Sequence, residues 1–419
     1  MGLSETPAGE RLHIGFFGRR NAGKSSLVNA VTGQELAVVS DVAGTTTDPV
    51  SKAMELLPVG PVVIVDTPGI DDEGGLGELR VRKARQALRR CDVAVLVVDG
   101  SRALRGAPGG PVGPGGPTDL DDVERGLLAE FDARGVPHVI AYTKADLLGD
   151  AARDVTRLPS GEVLVSSRTG DGVRELKETI ARMASGAKPR QRLVADLLGE
   201  GDLVVLVVPI DASAPKGRLI LPQQLVLRDV LDAHAASVVC QPAELARTLG
   251  ALRVPPRLII TDSQAFAEVA SIVPSEIPLT SFSILMARYK GSLPALVRGA
   301  AALSRLTDES RVLVSEGCTH HRQCADIGTV KMPTWIRAHA KAEPSFSFTS
   351  GGDFPDDLAA FDLVVHCGGC MLNDREMAHR MRVAEAAGVP MVNYGVAIAQ
   401  MHGILARSLE PFGEVAGLL

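Results

Sequence analysis

The sequence predicts an α/β chain in which a P-loop nucleotide-binding domain is followed by two smaller parallel-sheet α/β domains. Three observations carry this. An apolar strand, Leu12 to Phe17, runs directly into Gly18-Arg19-Arg20-Asn21-Ala22-Gly23-Lys24-Ser25 and then a helical stretch from Ser26 to Thr32, which is the strand, loop and helix context of a phosphate-binding loop. Short apolar runs alternate with helical patterns through the rest of the chain, as parallel sheets with crossover helices require. The 419 residues suffice for about three domains of ~150 residues each. The expected boundaries are 1–185, 190–300 and 301–419, with Ser185-Gly186-Ala187-Lys188-Pro189 linking the first two.

Composition narrows the function classes. Hydrophobic residues make up 45% of the chain and charged residues 22%, an ordinary globular balance. A net charge of −6, with no cluster of Lys and Arg, argues against nucleic acid as a partner. The longest apolar run, Leu203 to Ile210, is too short to cross a bilayer, so no membrane role is expected. Met1-Gly2-Leu3-Ser4-Glu5-Thr6 fits a myristoylation pattern too loose to outweigh this. The six cysteines, with no apolar signal segment before them, suit a reducing cytoplasm where thiols bind metals or sit buried.

In the first domain, Gly18 and Gly23 let the backbone curl so that its amides face a β-phosphate, Lys24 neutralises β- and γ-phosphate charge, and Ser25 offers a hydroxyl to Mg2+. Asn21, Ala22 and Ser26 complete the expected nucleotide-binding stretch. A second strand, Val62 to Val65, delivers Asp66-Thr67-Pro68-Gly69. The Asp66 carboxylate there can hold the Mg2+ shell, and the Gly69 amide can sense the γ-phosphate. Within Gly44-Thr45-Thr46-Thr47-Asp48, Thr46 is the expected further Mg2+ ligand. Residue 70 is Ile, so no glutamine orients the attacking water and slow hydrolysis is expected. The Gly- and Pro-rich stretch Gly106 to Pro117 cannot bury a core and reads as a surface insertion.

Two further strands, Asp92 to Val98 and Val136 to Tyr142, follow, the latter ending in Thr143-Lys144-Ala145-Asp146. Here the sequence resembles the translation-factor-related GTPases of the Era, TrmE and Der branch, whose Asn-Lys-x-Asp motif reads guanine. The resemblance implies that Asp146 accepts from the guanine edge with Lys144 beside it, while Thr143 replaces the usual Asn and puts one loop-bracing hydrogen bond in doubt. Ser166-Ser167-Arg168 resembles the loop that covers the base. Asn21 resembles the asparagine with which TrmE-like GTPases hold K+ beside the phosphates. GTP and GDP with Mg2+ are therefore the expected ligands, with potassium stimulation.

The middle stretch carries strand-like runs at Leu203 to Pro209, Ser237 to Cys240 and Arg257 to Thr261, between helical patterns at Gln223 to Ala235, Ala243 to Leu252 and Gln264 to Ile272. No phosphate loop or metal spacing accompanies them. Cys240 reads as a small core residue, Pro215-Lys216-Gly217-Arg218 as a solvated turn, and the domain as a dimerisation module giving a homodimer.

The last stretch reads as four short strands, Arg311 to Ser315, Ser345 to Thr349, Phe361 to Val365 and Val389 to Asn393, with helices near Thr334 to Ala342, Asp374 to Ala387 and Ala397 to Ser408. Cys318-Thr319-His320 follows the first of these strands and His366-Cys367-Gly368-Gly369-Cys370 follows the third. A parallel sheet would bring both groups to one edge, where ligands bind. Cys318, Cys367 and Cys370 with a histidine could hold zinc as a closed site. The sharper reading is a 4Fe-4S cluster on three thiolates, with His320, His366, Cys324, Asp326 or an external molecule as candidates for the fourth position. Cys91 reads as structural.

The combination of these parts is similar to the HydF family of FeFe-hydrogenase maturation GTPases, a P-loop GTPase domain joined to a dimerisation domain and a cluster domain marked by Cys-x-His, a long spacer and His-Cys-x-x-Cys. That resemblance implies a GTP-hydrolysing scaffold with a 4Fe-4S cluster. It would receive a diiron precursor of the H-cluster made by the radical-SAM maturases HydE and HydG and deliver it to apo FeFe-hydrogenase. The alternative is an RNA-modification or ribosome-assembly GTPase with a zinc-stabilised C-terminal domain, which the acidic charge disfavours.

Overall fold

The structure is a computed structural model that describes residues 6–33, 50–70, 75–103, 120–148, 158–185, 192–210, 219–317 and 326–418. It divides into two compact units, Met1–Pro189 and Arg190–Leu419.

The first unit is built on a six-stranded sheet in the order β2-β3-β1-β4-β5-β6. Its strands are β1 (Leu12–Phe17), β2 (Val50–Leu56), β3 (Gly60–Asp66), β4 (Val93–Asp99), β5 (His138–Thr143) and β6 (Glu162–Leu164). Every pairing is parallel except β2 with β3. Side chains alternate along β4. Val93, Val95 and Val97 join the core beneath α1 (Lys24–Thr32) and the C-terminal helix Val173–Ser185, while Ala94, Leu96 and Val98 join the core beneath α2 (Gly75–Leu88) and the helix Asp122–Ala133. Burial on both faces explains why these strands read as unbroken apolar runs. Because β1, β3, β4, β5 and β6 run parallel, Gly18, Asp66, Asp99, Thr143 and Ser166 come to one edge of the sheet.

β2 and β6 are absent from the expected set of strands. β2, Val-Ser-Lys-Ala-Met-Glu-Leu, lies at the sheet margin with most of its residues exposed, so it needs no apolar pattern. β6 is three residues long.

The second unit holds two four-stranded sheets. One, in the order β10-β9-β7-β8, is made of β7 (Leu203–Val207), β8 (Ala236–Cys240), β9 (Leu258–Thr261) and β10 (Leu279–Ser281). The other, in the order β12-β11-β13-β14, is made of β11 (Arg311–Glu316), β12 (Ser345–Ser350), β13 (Leu363–His366) and β14 (Met391–Asn393). All pairings are parallel. One apolar core is shared by the two sheets and includes Val204, Leu206 and Ile260 of the first with Val314, Val364 and Val392 of the second, while Val205, Val207 and Ile259 on the other face of the first sheet belong to a separate core. The almost fully buried helix Phe282–Lys290 contributes Leu285 and Met286 to it. The single helix expected over Ala397 to Ser408 is instead two, Tyr394–Met401 and Leu405–Leu409, broken at Gly403 with φ +70°, a conformation glycine adopts without steric cost. Cys91 is fully buried and donates to the Ala87 carbonyl at 3.3 Å. Cys240 ends β8, half-buried.

Candidate functional site

The phosphate loop closes between β1 and α1 because two glycines take backbone shapes that other residues resist. Gly18 has φ +149°, and a Cβ there would sit 2.3 Å from the Val97 carbonyl oxygen. Gly23 has φ +89° and precedes α1 as its N-cap. Asn21 is also left-handed, at φ 61°, a shape asparagine tolerates better than most. Lys24 is 7% exposed and its ammonium donates to the carbonyls of Gly18 (3.1 Å) and Arg19 (2.6 Å), which fixes a cation inside the loop. Ser26 is the third residue of α1.

The Ser25 hydroxyl donates to Asp66 Oδ2 at 2.9 Å. Asp66 Oδ1 is buried with no hydrogen-bond partner among the described residues. Burial pushes the Asp66 carboxyl above its ordinary range, against the pull of Ser25 and Lys24. A hydroxyl and an orphaned carboxylate oxygen held together are the hard oxygen donors that Mg2+ takes, so these residues fit the ion. Thr46 lies outside the described residues. Gly69 packs on the loop, where a Cβ would be 2.8 Å from Arg20 Cα, and the Ile70 amide donates to the Gly18 carbonyl at 3.3 Å. The Ile70 side chain is buried in the apolar core.

At the other end of the edge, the Thr143 hydroxyl reaches the Ala22 carbonyl at 2.6 Å and the Val98 carbonyl at 3.0 Å. A hydroxyl has one hydrogen to give, and the shorter contact ties β5 to the phosphate loop. The brace that a threonine put in doubt is therefore present. Lys144 is left-handed at φ 60° and its ammonium pairs with Asp99 Oδ2 at 2.6 Å. Burial works against the Asp99 carboxylate, yet Lys144 and Ser101 hold it below its usual range. Asp146 Oδ1 accepts from the Ser166 hydroxyl at 2.8 Å, and Oδ2 lies 3.3 Å from the Arg168 guanidinium. Ser167 lines a surface cleft with Arg168, Thr169 and Arg174. Asp99 was not singled out in the sequence. Its only signal there is a carboxylate where an apolar strand ends.

A second constellation lies at the edge of the last sheet. β11 and β13 are neighbours, with Ser315 opposite His366, and the Cys367 amide donates to the Ser315 carbonyl at 3.0 Å. The Cys367 sulfur accepts from the amides of Gly317 (3.0 Å) and Gly369 (3.4 Å). Gly369 has φ +66°, and a Cβ there would stand 2.8 Å from the Met377 sulfur, so the turn between the two cysteines requires glycine. Cys370 precedes the helix Asp374–Ala386, whose N-cap Asn373 accepts from the Glu376 amide at 3.2 Å. Burial pushes both thiols above their usual range, Cys370 to about 11 with Cys367 beside it. Two adjacent sulfurs with backbone amides directed at one of them are donors suited to zinc or an iron-sulfur cluster. Among the described residues no group of three or more His, Cys, Asp and Glu is gathered as a metal site. Cys318, His320 and Cys324 lie outside the described residues.

His366, expected as a candidate fourth ligand, is fully buried with both ring nitrogens engaged. Nε2 lies 2.9 Å from Arg380 Nη1 and Nδ1 lies 2.7 Å from the Cys367 carbonyl oxygen. Arginine can only donate, so Nε2 accepts and Nδ1 carries the hydrogen. Burial, reinforced by Arg380, pushes the ring down to about 3. Asp326, another candidate, caps the turn that follows it, accepting from the Thr329 amide (2.9 Å) and hydroxyl (3.0 Å).

Residues 193–291 match the hydrogen maturase F dimerization domain and residues 294–411 match the hydrogen maturase F tetramerization domain, between them more than half of the chain. The chain belongs to the hydrogen maturase F family. Residues 13–144 match the 50S ribosome-binding GTPase family, so the first unit of this hydrogen maturase F chain is a P-loop GTPase domain. Curated relatives match about two fifths of the chain. The tRNA modification GTPase MnmE of Chromobacterium violaceum is 34% identical over 175 residues, covering 42% of this chain and 35% of that protein. GTPase Der of Wolinella succinogenes is 33% identical over 193 residues, covering 43% of this chain and 37% of that protein. The chain thus spans little more than a third of the length of these relatives. Among solved structures, Aquifex aeolicus Era bound to GDP and aluminium fluoride aligns at 18% identity over 55% of this chain and 93% of that one, with a TM-score of 0.34. No helix among the described residues of this hydrogen maturase F chain is long and apolar enough to cross a membrane.

Proposed function

We propose that this chain is a self-associating hydrogenase-maturation GTPase that hydrolyses GTP and carries a 4Fe-4S cluster on Cys318, Cys367 and Cys370. The observation that carries the cluster reading is the 3.0 Å contact from the Gly317 amide to the Cys367 sulfur, because the chain passes that sulfur one residue before Cys318. When bound, the cluster would supply an iron with a replaceable ligand, on which a diiron precursor can rest as cargo. Cys367 and Cys370 lose their protons on binding it, the Gly317 and Gly369 amides donate to sulfur, and His320 is the remaining histidine candidate for the fourth position. The cargo would come from HydE and HydG and pass to apo FeFe-hydrogenase.

At the nucleotide site, Lys24 and the loop amides take the phosphates, Ser25, Asp66 and Thr46 hold Mg2+, and Asp146 reads guanine once Arg168 leaves it. With Ile70 in the core, no side chain at that position positions water, and turnover is slow. Asn21 would hold K+ beside the phosphates. The test is anaerobic: reconstituted protein is mixed with apo-hydrogenase carrying its own 4Fe-4S cluster, and hydrogen evolution is read after loading with the diiron precursor. Cys318→Ser, Cys367→Ser and Cys370→Ser should each abolish evolution, and Cys240→Ser should leave it intact. Unchanged evolution in all three cysteine variants would refute the carrier reading.

A further inference from the structure

Behind the cysteine turn lies a buried polar network that neither GTP chemistry nor thiolate ligation accounts for. Arg380, from the helix Asp374–Ala386, is 0% exposed, and its neighbours Ser315, His366 and Glu376 are at most 2% exposed. Its guanidinium donates through Nε to Glu376 Oε1 (2.8 Å), through Nη1 to His366 Nε2 (2.9 Å) and Ser315 Oγ (3.3 Å), and through Nη2 to the Gly351 carbonyl (2.6 Å). Phe354 lies against its face at 4.9 Å. One side chain thereby joins the C-terminal ends of β11 and β13, the turn after β12 and the helix that follows Cys370. A buried charge is tolerated only when paired, and here Glu376 balances it while both Nη nitrogens meet acceptors. The chain of bonds leads outward from Arg380 through the His366 ring to the carbonyl of Cys367.

We infer that His366 is a positioning residue for Cys367, held by Arg380, and that it does not ligate iron. The inference rests on the cluster reading of the same turn. A histidine bound to iron needs a free ring nitrogen. To offer Nε2 the ring would abandon Arg380 and leave a buried cation short of a partner, and to offer Nδ1 it would release the Cys367 carbonyl. Both losses are costly in a dry interior. As it stands, the ring fixes the peptide that leads from the strand into the CxxC turn, and so fixes where the Cys367 sulfur points.

The experiment uses full-length protein labelled with 15N-histidine. In the metal-free protein, nitrogen NMR should show a His366 ring protonated at Nδ1 and bare at Nε2, and a ring protonated at Nε2 overturns the proposal. After anaerobic reconstitution with iron and sulfide and reduction, pulsed EPR of labelled His320→Ala should show no strongly coupled imidazole nitrogen, and such a coupling overturns it. Arg380→Lys, checked for folding by circular dichroism, should lose iron to a chelator at least several-fold faster than the parent, and an unchanged rate overturns it. The nitrogen measurements need no change at Arg380, so they decide even if that variant does not fold. A parent chain that holds no iron sinks the cluster reading instead, while the metal-free spectrum still decides the role of His366.

Discussion

The Asp66 carboxylate has Oδ2 on the Ser25 hydroxyl and Oδ1 without a partner among the described residues, and burial raises its pKa. A group whose folded pKa is raised contributes stability below its unfolded value, which is lost as pH rises through the folded one. Mg2+ reverses this by satisfying the ionised form. The shift in melting temperature on adding Mg2+ with GDP should therefore be smaller at pH 4.5 than at pH 7.5, and Asp66→Asn should abolish the difference. Equal Mg2+ stabilisation at both pH values would contradict the assignment. At Thr143, truncation to Ala leaves the Ala22 carbonyl without this donor, at a cost of about 1–3 kcal/mol. Calorimetry should then find GDP binding weakened about fivefold or more, with Thr143→Ser close to the parent. The P-loop itself was legible in the sequence because it is a contiguous motif between a strand and a helix. The Thr143 brace was not, because its partner is Ala22, far away in the chain. His366 reads as a ligand because a histidine beside two cysteines has ligand spacing, whereas the Arg380 that meets its ring arrives from a helix.

At the scale of elements, the parallel strands β1, β3, β4 and β5 were legible because both faces are buried and their runs are continuously apolar. β2 escaped because its residues are mostly exposed, and the split at Gly403 because periodicity continues across it. The CxxC turn depends on one left-handed glycine. Gly369→Ala should cost about 1–2 kcal/mol for the backbone alone, with a further penalty against Met377. The expected readouts are a lower melting temperature and a reduced iron content after reconstitution, whereas Gly368→Ala, which meets nothing within 4 Å, should be close to neutral. Equal effects of the two substitutions would contradict the turn geometry.

For the whole molecule, the order of GTPase, dimerization and tetramerization domains joins a nucleotide site to a cysteine turn within one chain, with matches to self-association families over residues 193–411. Light scattering at micromolar concentration should give a mass above that of a single 44.0 kDa chain, and a monomer would contradict that reading. The domain order was legible because motif combinations are more specific than any motif alone, while the shared core of the two last sheets was not, since it depends on contacts between apolar residues that no local pattern pairs. The central claim is that Cys318, Cys367 and Cys370 hold iron and sulfide. It is tested most directly by anaerobic purification followed by metal analysis and EPR. The expected result is a brown protein with about four irons and four sulfides per chain and a paramagnetic signal on reduction; a colourless protein with about one zinc per chain and no iron would contradict the claim.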